Sequence, residues 1–324
     1  MSILIVGGAG YVGSHTAKLL AAAGRTPVVF DNLSSGHRWA VQWGPFEEGD
    51  LCDRAAIDRV LDRHDIEAVI DFAAHIEVGE SVRNPRKYFR NNFVNTANLL
   101  DAMVDRGIKD IVFSSTAAVY GDPVQVPIPE DHRLLPVNPY GESKLFVERA
   151  LRWYGDAYGM RWAALRYFNA AGADPEGGIG EDHAPESHLI PLAIKAALGQ
   201  RGALQIFGTD YPTPDGTAVR DYIHVVDLSQ AHLQALGHLA AGRGSFAANI
   251  GTGDGHSVRE VIAAVEKVSG RTVPHREVDR RPGDAPVLVA DARRVAELLG
   301  FRPRYPDLTT IVEHAWKWHA SRAG

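Results

Sequence analysis

Ile3-Leu4-Ile5-Val6-Gly7-Gly8-Ala9-Gly10-Tyr11-Val12-Gly13-Ser14-His15 stands at the start of the chain. The apolar run Ile3–Val6 predicts a strand, the glycines at 7, 10 and 13 a tight turn, and Tyr11–Ala23 an amphipathic helix. Glycine lets such a turn close, lets the backbone approach a pyrophosphate, and lets the helix pack against the strand. The first-turn N–H groups of the helix then face phosphate oxygens. Alone the motif is a weak signal, because a plain tight turn would read the same way. Its context strengthens it: Asp31 follows the second apolar run, Pro27–Phe30. A carboxylate there accepts hydrogen bonds from an adenosine ribose and repels a 2′-phosphate, so NAD is expected rather than NADP. The alternative is that Asp31 only caps a helix.

Working outward, strands are predicted at Ala68–Phe72, Asp110–Ser114 and Trp162–Tyr167. Helices are predicted at Arg54–Arg63, Pro85–Asp105 and Tyr140–Tyr158. The strands are continuous apolar runs, as expected where helices cover both faces of a parallel sheet. The fold class is therefore α/β, a Rossmann-type doubly wound parallel sheet. After Gly172 the texture changes. Residues 173–187 are rich in Gly, Pro and acid and read as a loop. Shorter helices follow near Ile190–Leu198, Val226–Leu239, Val258–Val268, Arg293–Leu299 and Thr309–Ala320. Short strands lie near Leu204–Phe207, Ala247–Ile250 and Val287–Val289. We expect an NAD-binding domain at 1–172 and, at 173–324, a smaller C-terminal α/β subdomain mainly for substrate. Segments near 219–250 are expected to return to the first half.

The balance of 34 Lys+Arg against 40 Asp+Glu gives a net charge of −6, which argues against nucleic acid or an anionic membrane as partner. Cys52 is the single cysteine, so no intrachain disulfide can form and a reducing, cytoplasmic setting is expected. No run approaches the ~20 apolar residues of a membrane span, and Ile3–Val6 is too short for a signal peptide. Fourteen histidines invite a metal reading. No pair has the HExxH spacing and Cys52 has no partner thiol, so no metal is expected. His183 and His188, near acids in the loop, read as solvated or hydrogen-bonded.

Tyr140 and Lys144 are four apart on a predicted helix and so share a face. They follow the strand Asp110–Ser114 and a hydroxyl cluster, Ser114-Ser115-Thr116. A nearby ammonium and a cationic nicotinamide both favour a phenolate. Bringing a tyrosine from about 10 to near neutrality needs about 4 kcal/mol, within reach of two such charges in a partly buried site. Asp50-Leu51 and Phe72-Ala73 follow strands at their C-terminal ends, where ligands of open α/β sheets bind. For Asp50 the competing reading is a solvated loop carboxylate.

With these residues in view, the chain resembles the extended short-chain dehydrogenase/reductases, and among them the family of UDP-glucose (UDP-galactose) 4-epimerases. The likeness covers nearly the whole chain. It rests on the glycine stretch through His15, on Val78-Gly79-Glu80-Ser81-Val82 and on Tyr120-Gly121-Asp122. It continues through Leu165-Arg166-Tyr167-Phe168-Asn169, then Ile206–Thr217, and Val219-Arg220-Asp221-Tyr222-Ile223-His224-Val225. The resemblance implies Thr116, Tyr140 and Lys144 as the catalytic trio. It implies NAD contacts from Gly7, Gly10, Tyr11, Val12, Gly13, Asp31, Asn32, Asp50, Leu51, Phe72, Ala73, Asn92, Ser114 and Tyr167, with Tyr140 and Lys144. For a UDP-sugar it implies Thr116, Asn169, Leu189, Phe207, Arg220, Arg281, Asp284 and Leu288. Two arginines suit a diphosphate and an aromatic suits uracil. Asn169 as a turn residue and Phe207 as core are the competing readings.

The resemblance also implies the reaction: inversion at the sugar C4 through a 4-keto intermediate, with weaker turnover of UDP-N-acetylhexosamines. Leu288, four after Asp284 in the stretch Arg281-Pro282-Gly283-Asp284, would line the pocket beside the C2 substituent. A homodimer is implied, with Pro85–Asp105 and Tyr140–Tyr158 packing against their copies as a four-helix bundle. The chain departs from the family's pattern at His75-Ile76-Glu77, where a lysine is common, and at His188, where some members carry Asn. Alternatives are a 4-epimerase of UDP-glucuronate or UDP-xylose, a dTDP-hexose dehydratase, and a non-catalytic NAD-sensing regulator. Thr116-Ala117-Ala118 lacks the acid pair of the dehydratase. A silent regulator would be expected to lose Tyr140 or Lys144, and both are present.

Overall fold

The computed structural model describes residues 2–281 and 284–323. The first half alternates as expected: β1 (Ser2–Val6), α1 (Tyr11–Ala22), β2 (Thr26–Asp31), β3 (Phe46–Glu48), α2 (Arg54–Arg63) and β4 (Ile66–Asp71). After α3 (Val78–Arg83), α4 (Pro85–Tyr88) and α5 (Asn95–Asp105) come β5 (Asp110–Thr116), α6 (Pro139–Tyr158), β6 (Arg161–Tyr167) and β7 (Asn169–Ala171). The remainder comprises α7 (Leu189–Ala197), β8 (Leu204–Phe207), β9 (Val219–His224), α8 (Val225–Ala240), β10 (Phe246–Ile250) and β11 (Gly255–Ser257). It ends with α9 (Val258–Ser269), β12 (His275–Val278), β13 (Val287–Leu288), α10 (Arg293–Leu299) and α11 (Leu308–Ser321).

Seven parallel strands form the main sheet in the order β10-β6-β5-β4-β1-β2-β3. The order reverses between β1 and β4, and the crevice beyond their carboxyl ends is where such a sheet binds ligands. Its two faces explain the continuous apolar runs. Ile3, Ile5, Ile70 and Val112 pack with Leu20 of α1 and Leu228 of α8 on one face. Leu4, Val28, Val69 and Ile111 pack with Ile57, Leu99 and Leu151 on the other.

Three expectations need adjustment. The fifth strand runs through Thr116, two residues beyond Ser114, so all three hydroxyls lie on it. The helix expected over Pro85–Asp105 is interrupted by a π-helical turn, Phe89–Val94. Asn92 lies within it, accepting from the His75 N–H at 2.9 Å and donating to the Ser143 hydroxyl at 3.1 Å. Of the segment near 219–250, β10 completes the main sheet beside β6, while β9 joins a small separate sheet with β7, β11 and β13. Helix α6 starts and stops on local signals: Asn138 accepts from the Gly141 N–H at 2.9 Å, and Gly159 ends it in the left-handed region at φ 68°.

Candidate active site

The glycine turn is built to lie against β4. Gly7 has φ +74°, and a Cβ there would meet the Ala73 nitrogen at 2.8 Å. At Gly13 a Cβ would lie 2.4 Å from the Gly7 carbonyl oxygen, so both positions exclude side chains. Gly10 caps α1 without a side-chain hydrogen bond, which leaves the first-turn N–H groups available to an anion. Asp31 accepts from the Ala9 N–H at 2.9 Å and the Leu33 N–H at 2.8 Å. Burial raises its pKa and those two N–H groups oppose the rise. It therefore clamps the turn and edges the place a ribose would take. This cradle fits a dinucleotide.

The other expected cofactor residues gather around the turn with varied employment. Asp50 is tied down rather than free in solvent, by Asn32 at 2.6 Å and the Cys52 N–H at 2.8 Å. The Leu51 carbonyl accepts from Asn98 at 2.9 Å. The Phe72 ring lies 4.7 Å from His232, and Tyr167 hydrogen-bonds Ser114. Tyr11 spends its hydroxyl on the Gly172 carbonyl at 2.7 Å, and Val12 packs on the core beside the turn. His75, where the family commonly has a lysine, has its main chain held on both sides by the Asn92 amide.

The catalytic candidates converge beside this crevice. Thr116 ends β5 and its hydroxyl accepts from the Ala118 N–H at 3.1 Å. Tyr140 enters from the first turn of α6, with the Thr116 hydroxyl as its hydrogen-bond partner. Lys144, one turn on, is buried; its ammonium donates to the Ser114 carbonyl at 2.9 Å and lies 4.8 Å from the Phe113 ring centroid. Burial lowers its pKa to about 8, with the Asp71 carboxylate opposing. Asp71 is itself pushed up to about 6 by burial, against the pull of Lys144.

The expectation that Lys144 depresses the Tyr140 pKa is not met by the chain itself. Burial raises Tyr140, and only the Thr116 hydrogen bond opposes it. The reason is geometric: the Lys144 charge is directed to Asp71 and to a main-chain carbonyl. Within the chain, the Thr116 hydrogen bond is what opposes the rise of Tyr140.

Reading the sequence missed Asp71 and a buried network behind Thr116. Ser115 donates to Glu148, which pairs with Arg166 at 2.6 Å; Arg166 reaches the Tyr120 hydroxyl at 3.0 Å, and Tyr120 donates to Asn249 at 2.6 Å. A signal existed, since Glu148 is four residues past Lys144 and shares the face of Tyr140 and Lys144.

The expected sugar-nucleotide residues occupy the small sheet and its surroundings. Arg220 pairs with Asp284 at 2.7 Å, and the Arg281 guanidinium stacks 3.8 Å from the Phe207 ring centroid. Phe207 is therefore not simply core. Asn169 donates to the Asp221 carbonyl at 3.3 Å, and Leu189 opens α7. Leu288, in register with Arg220, packs on a cluster containing Ala117, Tyr120 and Leu145, directly behind Thr116. Pro282 and Gly283 of the quoted stretch lie outside the described residues.

His183 and His188, read as solvated or hydrogen-bonded, are gathered with Glu181 and Glu186, their candidate ligand atoms all within 4.8 Å of one another, and His188 hydrogen-bonds Glu181. Spacing alone could not show this, because the loop has no regular structure to impose a face.

Comparison with known proteins gives one answer at each level. The model of the NAD dependent epimerase/dehydratase family matches residues 3–251. A UDP-glucose 4-epimerase of Rhizobium leguminosarum bv. trifolii is 54% identical over 320 residues, 98% of this chain and 97% of that protein. The crystal structure of the Brucella ovis UDP-glucose 4-epimerase in complex with NAD superposes with TM-score 0.95 at 51% identity, covering 97% of each chain. That of the Stenotrophomonas maltophila UDP-glucose 4-epimerase, with bound NAD and formylated UDP-arabinopyranose, gives 0.96 at 41% identity over 100% of both.

Proposed function

The chain belongs to the NAD dependent epimerase/dehydratase family, and we propose that it is an NAD-using isomerase that interconverts UDP-glucose and UDP-galactose by inverting C4 of the sugar. The observation that carries this reading is the meeting of Thr116, Tyr140 and Lys144 at the carboxyl end of β5, beside the glycine cradle. NAD, held by the Gly7–Gly13 turn and Asp31, supplies a reversible hydride acceptor when bound.

Tyr140 takes the 4-hydroxyl proton through its phenolic oxygen, and Thr116 hydrogen-bonds the same substrate oxygen. Lys144 fixes the floor of the site through the Ser114 carbonyl. Inversion requires that the 4-keto sugar turn over and present its other face. The sugar must then be held loosely while UDP is held firmly. Arg220, Arg281, Phe207 and Asp284 serve the UDP end, where guanidinium forks suit a diphosphate.

The Val82, Val94 and Trp153 side chains, on α3, the π-helical turn before α5, and α6, are exposed, Trp153 by 68%. That apolar surface supports a homodimer through a four-helix bundle of α5, α6 and their copies. No helix among the described residues is long and apolar enough to cross a membrane. We place the enzyme in the cytoplasm, where the exposed thiol of Cys52 stays reduced.

The test is incubation of purified protein with separate UDP-sugars and resolution of the products. Approach to the same UDP-glucose/UDP-galactose mixture from either side is expected. Inertness toward both, with turnover of UDP-glucuronate or UDP-xylose, would overturn the reading.

A further inference from the structure

The loop from Ala173 to His188 crosses the glycine turn. The His37 imidazole meets the Asp182 carbonyl at 2.7 Å, and the Trp318 indole N–H donates to the Glu181 carbonyl at 3.3 Å. His183 sets its ring edge-on to Tyr11, centroids 6.4 Å apart. Within this loop Glu181, His183, Glu186 and His188 turn their side chains toward one another. The Glu181 and Glu186 carboxylates are 3% and 4% exposed, so two negative charges sit out of water. Such charges need cations held close.

The spacing of the donor atoms suits a metal. His183 Nδ1 lies 3.2 Å from Glu181 Oε1 and 3.8 Å from Glu186 Oε1; His188 Nδ1 lies 3.7 Å from Glu186 Oε1 and closer still to Glu181 Oε1. A tetrahedral zinc with bonds of 2.0–2.2 Å sets its ligand atoms about 3.3–3.5 Å apart. The mean of the observed set is close to that, and both imidazoles present the same nitrogen. A second, independent observation concerns satisfaction. Glu186 Oε2 and His183 Nδ1 are buried with no hydrogen-bond partner. The other Glu186 oxygen is occupied by the Ser187 and His188 N–H groups at 2.8 and 2.9 Å. Buried polar atoms without partners call for an explanation, an ion being one.

We propose that Glu181, His183, Glu186 and His188 form a four-coordinate site for a divalent transition metal of the zinc type, which clamps the loop between the glycine turn and the start of α7. Imidazole and carboxylate are the donor set such a metal takes. The charge count closes. Two carboxylates and two neutral imidazoles balance a dication, and binding involves no electron transfer. The site's role is structural: Leu189 follows His188 directly, so the clamp links the cofactor cradle to the helix that faces the sugar nucleotide.

The experiment uses the full-length, NAD-loaded protein after dialysis against a chelator. Zinc is titrated at pH 7 while stoichiometry and melting temperature are followed; cobalt replaces zinc as an optical probe. One zinc per chain, a rise of several degrees in melting temperature and the visible band of tetrahedral cobalt are expected. His183→Gln and, separately, Glu186→Gln should bind zinc at least tenfold more weakly while keeping NAD content and circular dichroism. Less than a tenth of a zinc per chain in the wild type overturns the proposal. So does unchanged affinity in both variants. Failure of one variant to fold leaves the other, and the wild-type stoichiometry decides in either case. None of these readouts involves turnover.

Discussion

The two halves of the candidate site are built differently. The cofactor side rests on the main sheet: Gly7, Asp31, Asp71 and Thr116 lie at strand ends, and Lys144 is sealed beneath them. Its charges are buried and their pKa values are displaced. On the sugar-nucleotide side, Arg220 of the small four-stranded sheet pairs with Asp284, and Arg281 stacks on Phe207. There Arg220 and Asp284 are half-buried and Arg281 is exposed. One side is a fixed reaction frame; the other is an adjustable grip. An epimerase that must release and turn its sugar needs both.

The largest test of that contrast is Tyr140→Phe. Removing the proton acceptor from the fixed frame should lower turnover about 10²–10⁴-fold with fold and NAD content retained. Near-normal turnover would show that the frame is not where the chemistry happens.

Acid should attack the cofactor side next. Burial holds His15 and His232 neutral, lowering each to about 4, and His224 to about 3. His232 packs on Phe72 and Tyr167, and His15 on Tyr11, all on the cofactor side. These folded-state values lie below the unfolded value near 6.5, so the unfolded chain binds more protons in between. Stability therefore falls as pH drops from about 6.5 toward 4. Each histidine contributes about 2 kcal/mol of loss at pH 5. Asp71, raised to about 6, works the other way between about 6 and 4. Asp71 returns roughly 1 kcal/mol of the histidines' combined loss of about 6 kcal/mol, so the net loss should be about 4–5 kcal/mol at pH 5. Urea midpoints at pH 7 and 5, with NAD content measured alongside, read it. A midpoint that stays put or rises at pH 5 contradicts the buried-neutral assignment.

Legibility in the sequence follows the same division. Gly7, Gly10 and Gly13, Asp31, and the pair Tyr140/Lys144 are local patterns whose spacing maps directly onto a turn or a helix face. The parallel sheet was equally readable, because strands buried on both faces lose their alternation. Asp71 was hidden because its importance comes from β4 facing α6, a relation that no short window carries. The Ser115–Glu148–Arg166–Tyr120–Asn249 chain spans five elements for the same reason. The π-helical turn around Asn92 left no mark in the apolar pattern either. The Glu181–His188 cluster is legible only once the loop's path is known.

Loosening the grip should separate binding from chemistry. Arg220→Ala removes the guanidinium that Asp284 now orients. Charge-assisted contacts are worth about 1.5–3 kcal/mol, so KM for UDP-glucose should rise about 10–100-fold. Because the diphosphate is held alike in ground and transition states, kcat should stay within a few-fold. A fall in kcat as large as the rise in KM would merge the two sides into one functional unit and remove the contrast.

The finest test lies where the two sides meet. Leu288 belongs to β13 on the grip side, in register with Arg220, yet its side chain packs on the cluster of Ala117, Tyr120, Ile128 and Leu145 behind Thr116. It is half-buried, so part of it lines open space while part fills core. A leucine at this junction is short and flexible and has no hydroxyl to satisfy. A tyrosine would fill the same space with a rigid ring, and a packed wall yields only with strain of about 1–3 kcal/mol. Leu288→Tyr should therefore cut turnover of UDP-N-acetylglucosamine about tenfold, near the lower part of that range because the site is not sealed. UDP-glucose and UDP-galactose carry only a hydroxyl at C2 and should change by less than about threefold on the same argument. The measurement is kcat/KM for both sugar pairs in wild type and variant. Equal losses on both pairs would mean that Leu288 serves the core behind Thr116, and that the boundary between frame and grip runs on the far side of β13.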